Sequence, residues 1–298
     1  MTALPDPAES PAPGVVRVLA PNPGPFTYRG TNSYVVGDAR LLVIDPGPDD
    51  DAHLDALLAV IAGRPVEAIV VTHAHADHSA LAPRLTAGVD APIFAFGGPE
   101  AGRSAVMQAL AASGDLGGGE GVDRNFRPHR LLADGESVPA GDLPLTALHT
   151  PGHMGNHLCL LGDGLCFSGD LVMSWSSTLI SPPDGDLTQF NDSCRRLLAN
   201  APALLLPGHG DPVDEPDARI RWLLDHRAGR SAQILDALAA SPLTVPELAA
   251  SLYSDQLPQV LPAAERVVLA HLVDLHTRDL VTAEPALAVT ARFARRKA

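Results

Sequence analysis

The sequence predicts an α/β domain followed by a small helix-rich domain, and three observations carry that reading. Short apolar runs alternate with stretches whose apolar residues recur at helical spacing, the pattern of strand, helix and strand in turn. Histidines and aspartates stand directly after four of those runs, where an α/β scaffold presents its functional side chains. Beyond residue 226 the pattern changes to three helical stretches and a terminal pair of strand-like runs.

Length and composition set the limits. The 298 residues suffice for one large domain and a small one, and 46% hydrophobic against 19% charged residues is a core-forming balance. The net charge of −14 argues against a general polyanion binder, since such affinity depends on cations neutralising phosphates. Lys297 is the only lysine, and the arginines concentrate at Arg195-Arg196, residues 219–230 and residues 292–297, which read as solvated faces. No run of eighteen apolar residues occurs and the amino terminus lacks the features of a signal peptide, so a cytoplasmic, non-membrane protein is expected. The three cysteines, Cys159, Cys166 and Cys194, match neither a zinc ribbon nor a redox pair and read as buried free thiols.

Residues 1–14, rich in Pro, Ala and acidic side chains, read as a flexible leader before a main domain at 15–226 and a small one at 227–298. Residues 15–20 can start a strand, and the prolines and glycines of 21–32 define a turn-dense loop. Residues 33–37 and 40–45 pair across the Gly37-Asp38 turn, and Asp45-Pro46-Gly47 ends the pair. A helix over 51–63, with Leu54, Leu57, Leu58 and Ile61 on one face, leads to the strand 66–72. A helix is expected to begin over 78–86, then a strand over 91–96 and a helix over 100–113. The glycine-rich segment 114–121 lacks the Lys-Ser or Lys-Thr of a phosphate loop and reads as a mobile surface insertion. Short strands follow at 145–150, 158–161 and 165–168, then a helix over 187–200 and a strand over 203–206.

Chemistry gathers at the ends of these strands. Thr72 is followed by His73-Ala74-His75-Ala76-Asp77-His78, a spacing that lets a short turn aim His73 and His75 at one point and Asp77 and His78 at a neighbouring one. Three more strand ends supply His153, Asp170 and His209. The expected grouping is His73, His75 and His153 around one ion, Asp77, His78 and His209 around another, and Asp170 bridging. An all-nitrogen-and-oxygen set suits two divalent ions, Zn²⁺ foremost, with Fe or Mn open.

The motif His73-x-His75-x-Asp77-His78 with His153, Asp170 and His209 resembles the metallo-β-lactamase fold superfamily over roughly residues 15–226. That resemblance implies a four-layer αβ/βα sandwich with a dinuclear site at one edge of the facing sheets. It also matches Asp45 to an aspartate that supports the metal loop without ligating. Lactamases of the superfamily carry cysteine or no bridging carboxylate where Asp170 stands, which points towards glyoxalase II-like and ribonuclease-like branches. The loop Asn22-Pro23-Gly24-Pro25 with Gly30-Thr31-Asn32, and the tail after His226, resemble the lactamase-beta-2-like group, whose members carry a carboxyl-terminal winged-helix domain.

In that tail, helices are expected over 227–240, over 244–253 with Thr244 and Glu247 as a capping box, and over 263–279. Residues 280–282 and 288–292 would pair as the wing. The third helix sets Glu265, Asp274 and Asp279 against Arg266 and Arg278, no phosphate clamp, so a structural, homodimer-forming or substrate-edge role is expected over duplex DNA recognition. Four further residues are candidate substrate contacts. His157 reads as an outer or substrate contact or as a plain surface or core residue, Thr31 and Asn32 as the site edge or a turn closure. Trp175, in the apolar loop 175–183, reads as a pocket wall or a packing residue. His149 is expected to hydrogen-bond inside the sheet, and His53, His129, His226, His271 and His276 to be structural or exposed.

The function expected is a dinuclear metal-dependent hydrolase in which a bridging hydroxide, oriented by Asp77, attacks a small-molecule ester or thioester. The alternatives are a metal-dependent endoribonuclease on single-stranded RNA and a regulatory nucleic-acid-binding protein with little catalysis.

Overall fold

Apolar runs alternating with helices build two sheets packed face to face. The computed structural model describes residues 8–114, 116, 119, 121–138, 141, 143–254 and 261–296; residues 1–7 of the expected leader and Lys297 lie outside the described residues. The first sheet runs in sequence order through β1 (Ala8–Ala12), β2 (Val15–Leu19), β3 (Asn32–Gly37), β4 (Leu41–Ile44), β5 (Val66–Val70), β6 (Ile93–Ala95) and β7 (Arg130–Leu131). Pairing is antiparallel from β1 to β4 and parallel from β4 to β7. All four residues of β4 are buried, as expected of a strand covered on both faces.

The second sheet contains β8 (Ser137–Val138), β9 (Leu145–His149), β10 (Leu158–Gly162), β11 (Leu165–Gly169) and β12 (Leu204–Pro207), antiparallel except for the parallel β11–β12 pair. Between the sheets, Tyr34, Leu42 and Val70 share a core with Leu145, Leu158, Phe167 and Leu206. Helices α1 (Asp51–Ile61), α2 (Ala76–Ser79), α3 (Ala82–Val89) and α4 (Ala105–Ser113) belong to the first half. Leu57 and Ile61 of α1 and Leu85 of α3 cover the outer face of the first sheet. Phe190 and Leu197 of α5 (Leu187–Ala199), with Ile220 and Leu223 of α6 (Pro216–Ala237), cover that of the second. The result is the expected four-layer αβ/βα sandwich.

One edge joins the sheets and positions the site. The Leu158 amide donates to the Thr72 carbonyl (2.8 Å) and the Asn32 amide to the Gly208 carbonyl (2.7 Å). Strands β9, β11 and β12 run in the same direction, so the residues after their carboxyl ends meet the residues after β5 at this edge.

The small domain comprises the end of α6, α7 (Val245–Leu252), α8 (Leu261–Thr277) and a three-stranded sheet of β13 (Leu243–Thr244), β14 (Val281–Glu284) and β15 (Arg292–Arg295), ordered β13-β15-β14. The capping box of α7 forms as expected: Thr244 Oγ1 accepts from the Glu247 amide, and the Glu247 carboxylate accepts from the Thr244 amide. Leu248, Val268, Leu272 and Phe293 make its core, which Met107 and Leu110 of α4 enter. Helix α8 also docks on the main domain, where Thr188 Oγ1 donates to Asp274 Oδ1 (2.8 Å). No helix among the described residues is long and apolar enough to cross a membrane.

Several expectations are corrected. Residues 8–12, read as leader, form β1, an edge strand whose Pro and Glu content hid it. The helix expected from residue 78 is two pieces, because Pro83 sits in the first turn of α3 and starts a new helix. Helix α4 begins at Ala105, capped by Ser104, and not at residue 100. Strands β7 and β8 were not expected, and the wing's second strand lies at 292–295 instead of 288–292. The 226/227 boundary falls inside the continuous helix α6. The three cysteines are buried free thiols, as expected.

Two buried histidines couple this fold to pH. His271 on α8 shares a hydrogen bond with Ser231 Oγ on α6 (2.9 Å), and burial, aided by the Arg227 charge, pushes its pKa down to about 3. Burial likewise pushes His53 down to about 4. In the unfolded chain both protonate near 6.5, so below that pH the unfolded state binds more protons and stability falls until the folded values are reached. Replacing His271→Asn should reduce the acid-side slope by about 1.4 kcal/mol per pH unit between pH 6 and 4, read from urea unfolding; an unchanged slope would contradict this assignment.

Candidate metal centre

Strand β5 is buried along Ala68, Ile69 and Val70, and it delivers the loop Thr72 to His78 onto the joined edge. Its parallel neighbour β4 ends beside it in Asp45, at φ 50°. Asp45 Oδ1 accepts from the Thr72 amide (2.7 Å), and Oδ2 accepts from Thr72 Oγ1 (2.8 Å) and from His78 Nδ1 (2.9 Å). Asp45 thus stands behind the loop and holds its two ends. The amide of Ala76 donates to the Gly121 carbonyl (2.7 Å), and His75 bridges Val122. The end of the glycine-rich segment, read as a surface insertion, therefore braces the loop.

Outer hydrogen bonds set the imidazoles. The single Thr72 hydroxyl proton goes to Asp45, so His73 Nδ1, 3.0 Å from Thr72 Oγ1, is the donor and Nε2 keeps its lone pair. His78 Nδ1 donates to Asp45, His153 Nδ1 to the Leu179 carbonyl (2.8 Å) and His209 Nδ1 to the Gly30 carbonyl (3.1 Å). In each case Nε2 faces inward, the arrangement by which outer partners orient metal-binding histidines.

The inward atoms form two groups, and a third, of His73, His78 and Asp170, overlaps both. His73 Nε2 and His153 Nε2 lie 2.9 and 3.0 Å from His75 Nδ1. His209 Nε2 lies 3.2 Å from both His78 Nε2 and Asp77 Oδ2. Asp170 stands between them, with Oδ2 3.7 Å from His153 Nε2 and 3.4 Å from His209 Nε2, and Oδ1 3.6 Å from His78 Nε2. Donors about 2.0–2.1 Å from a tetrahedral ion stand about 3.3 Å apart, so both groups have the spacing of a coordination shell. Two further features fit cations here. Two neutral lone pairs point at one His75 nitrogen, and the buried Asp170 Oδ1 has no hydrogen-bond partner among the described residues.

Electrostatics separate the groups. Burial and the neighbouring His153 push His75 down to about 3, and burial lowers His73 and His153 as well. Burial opposes charge on His78 too, yet Asp77, Asp170 and Asp45 push it up to about 9, and Asp170 raises His209. Asp170 and Asp77 are held below the usual carboxylate range against their own burial, by His209 and His78 respectively in the first instance. The two carboxylates thus favour positive charge in the second group, a role that a bound cation would take over.

The other candidates take varied places. His157 is buried behind Asp170: its Nε2 accepts from the Asp170 amide (3.2 Å) while Nδ1 meets Thr150 Oγ1 (2.9 Å). Thr31 Oγ1, also buried, reaches Asp77 Oδ2 at 3.4 Å. Asn32 commits both amide hydrogens to the Pro207 and Gly210 carbonyls, which puts it behind the His209 loop and away from solvent. Trp175 packs on Tyr28, ring centroids 5.0 Å apart and planes 13° from parallel, with Gly210 against its edge. Tyr28, half-exposed, is the partner of Trp175 that sequence reasoning missed. Its only prior signal was two aromatics in a turn-dense loop. His149 bonds the Gly155 carbonyl (2.9 Å) and stacks on Phe96.

A four-layer αβ/βα fold with histidines and aspartates gathered at its sheet edge defines a metal-dependent hydrolase. Residues 26–209 match the metallo-beta-lactamase superfamily and residues 244–287 the beta-lactamase associated winged helix domain, and the chain belongs to that superfamily. A beta-lactamase-like protein 2 homolog of Drosophila melanogaster is 28% identical over 274 residues, 88% of this chain and 87% of that protein. An atrochrysone carboxyl ACP thioesterase of Paecilomyces divaricatus is 29% identical over 271 residues, 86% of this chain and 76% of that protein. Among solved structures, a beta-lactamase domain protein from Burkholderia ambifaria superposes with a TM-score of 0.80 at 26% identity, covering 97% of this chain and 93% of that one. A protein solved in a di-iron-bound form has a TM-score of 0.50 at 28% identity, over 68% of this chain and 97% of its own.

Gly208 offers a local test. A Cβ there would lie 2.5 Å from Asp170 Oδ1 and 2.6 Å from His78 Cε1, so a side chain must displace one of them. Gly208→Ala should weaken zinc binding at least about tenfold with the circular dichroism spectrum retained; wild-type affinity would contradict the geometry.

Proposed function

We propose that this chain is a dinuclear hydrolase of small thioesters or esters. His73, His75 and His153 would hold one divalent ion and Asp77, His78 and His209 the other, with Asp170 between them. The observation that carries this reading is the convergence of five imidazoles and two carboxylates, with the outer nitrogens of four of the rings already engaged by Thr72, Asp45, Leu179 and Gly30. The donor set suits Zn²⁺, and the di-iron relative keeps Fe in view alongside Mn. Two such ions, when bound, lower the pKa of a shared water and polarise the substrate carbonyl.

The chain's own residues divide the remaining tasks. Asp77 has 27% of its side chain exposed against 8% for Asp170, so it is the carboxylate that an approaching water meets, and it orients that water by accepting a hydrogen. Thr31 holds Asp77 from behind, and His157 fixes the backbone of Asp170. Tyr28 and Trp175 supply an apolar face for the acyl group.

The thioester reading is supported by the thioesterase among the relatives and by a net charge of −14, which disfavours long polyanions. Duplex recognition by the winged-helix domain runs against the docking of α8 on α5. A cytoplasmic location suits three free thiols.

Chelated protein should take up about two equivalents of Zn²⁺, Mn²⁺ or Fe²⁺ and regain thioester turnover, and His75→Ala should lose one equivalent and more than about 99% of the activity. Turnover should change little between 50 and 200 mM salt. A steep salt-dependent loss confined to RNA cleavage, or unchanged metal content in His75→Ala, would overturn the assignment.

A further inference from the structure

In a chain this acidic, three arginines meet in one cleft outside the candidate centre. Arg103, Arg124 and Arg127 line a cavity of about 380 Å³, together with Glu100 and Val122. That volume lies within the range of small-ligand sites and far exceeds the about 30 Å³ of a water in bulk.

Each wall of the cleft is braced by a loop that carries a candidate ligand. On one side, Val122 bridges His75 and the Asp123 amide donates to the Ala74 carbonyl (2.9 Å). On the other, the backbone of Gly102 and Arg103 lies against Gly155, two residues beyond His153, so closely that a Cβ on Gly155 would stand 2.6 Å from the Arg103 amide nitrogen. The cleft therefore adjoins the His73, His75 and His153 half of the centre, whereas Trp175 and Tyr28 adjoin the half that contains His209.

Its charge is unbalanced. Arg103 pairs with Asp184 (2.6 Å) and with the exposed Glu100 (3.4 Å), yet its buried Nε has no acceptor among the described residues. Arg127 Nη1 donates to the Arg124 and Phe126 carbonyls, which leaves its charge without a carboxylate. Neither Arg124 nor Arg127 forms an ion pair among the described residues. Two uncompensated guanidinium groups beside an anchored third match one dianionic, multidentate group better than a single carboxylate.

We propose that this cleft is the subsite for a phosphate group carried by the thiol part of the substrate. The inference rests on the thioester reading and gives it a direction: the thiol arm leaves past His75 and His153 towards the arginines, while the acyl group lies on Tyr28 and Trp175.

The test compares two thioesters with the same acyl group, an acyl-4′-phosphopantetheine and the phosphate-free acyl-pantetheine, on the zinc-loaded protein. The phosphorylated substrate should show a KM about tenfold lower at similar kcat. In the Arg124→Ala/Arg127→Ala variant the two KM values should come within about twofold of each other. Calorimetry of 4′-phosphopantetheine with chelated protein should show the same tenfold loss in the variant, without any catalysis. Equal KM values in the wild type, a preference that survives the double variant, or a glutathione thioester favoured as strongly as the phosphorylated one would overturn the subsite. So would a loss in the variant confined to oligoribonucleotide cleavage. If neither thioester turned over, the proposed function would fail, and the calorimetric comparison would still decide whether the cleft binds phosphate.

Discussion

Five imidazoles and two carboxylates can share one buried sheet edge only if every outward-facing polar atom has a partner already. Burial of an unpaired polar group costs on the order of 1–3 kcal/mol, and more for a charge, so an unsupported cluster of this size would unfold the edge that carries it. Here Thr72, Asp45 and the Leu179 and Gly30 carbonyls engage the outer nitrogens of four rings, and the Asp170 backbone is held by His157. Asp170 Oδ1, left without a hydrogen-bond partner among the described residues, lies among the candidate ligands. That oxygen and the inward imidazole nitrogens are where a cation would be accommodated.

That arrangement explains features of the fold that packing alone does not. Asp45 adopts a positive φ at the end of β4, a conformation that turns its carboxylate under the neighbouring loop. Asn32 and Tyr34 Oη both reach the Pro207 carbonyl, tying the first sheet to the loop that presents His209. Glycine at 208 leaves Asp170 and His78 room to approach each other. Each contact links elements far apart in the chain, so the site and the closure of the two sheets are one construction. The winged-helix domain shares in it at a distance, since α8 and α4 pack their side chains across the domain junction.

Much of the site was legible in the sequence for a physical reason. A buried strand must end in residues that leave the core, and His73 to His78, His153, Asp170 and His209 each stand where an apolar run stops. The layer arrangement came only through resemblance, because pairing between sheets is long-range and leaves no local period. Strand β1 was hidden by its polar, proline-containing composition and by its dependence on β2 for its strand pairing, and the two-residue strands β7 and β8 are too short to show a period. The Tyr28–Trp175 wall and the arginine cleft were invisible because loops separated by tens of residues build them. His157 and Asn32 had two readings each, and only the hydrogen bonds place both behind the centre.

The central claim is that two ions share this edge across Asp170. Anomalous diffraction from crystals of the zinc-loaded protein tests it most directly. The account predicts two peaks about 3.5–4 Å apart, one among His73, His75 and His153 and one among Asp77, His78 and His209, with Asp170 in contact with both. A single peak, or two with Asp170 turned away from them, would contradict it.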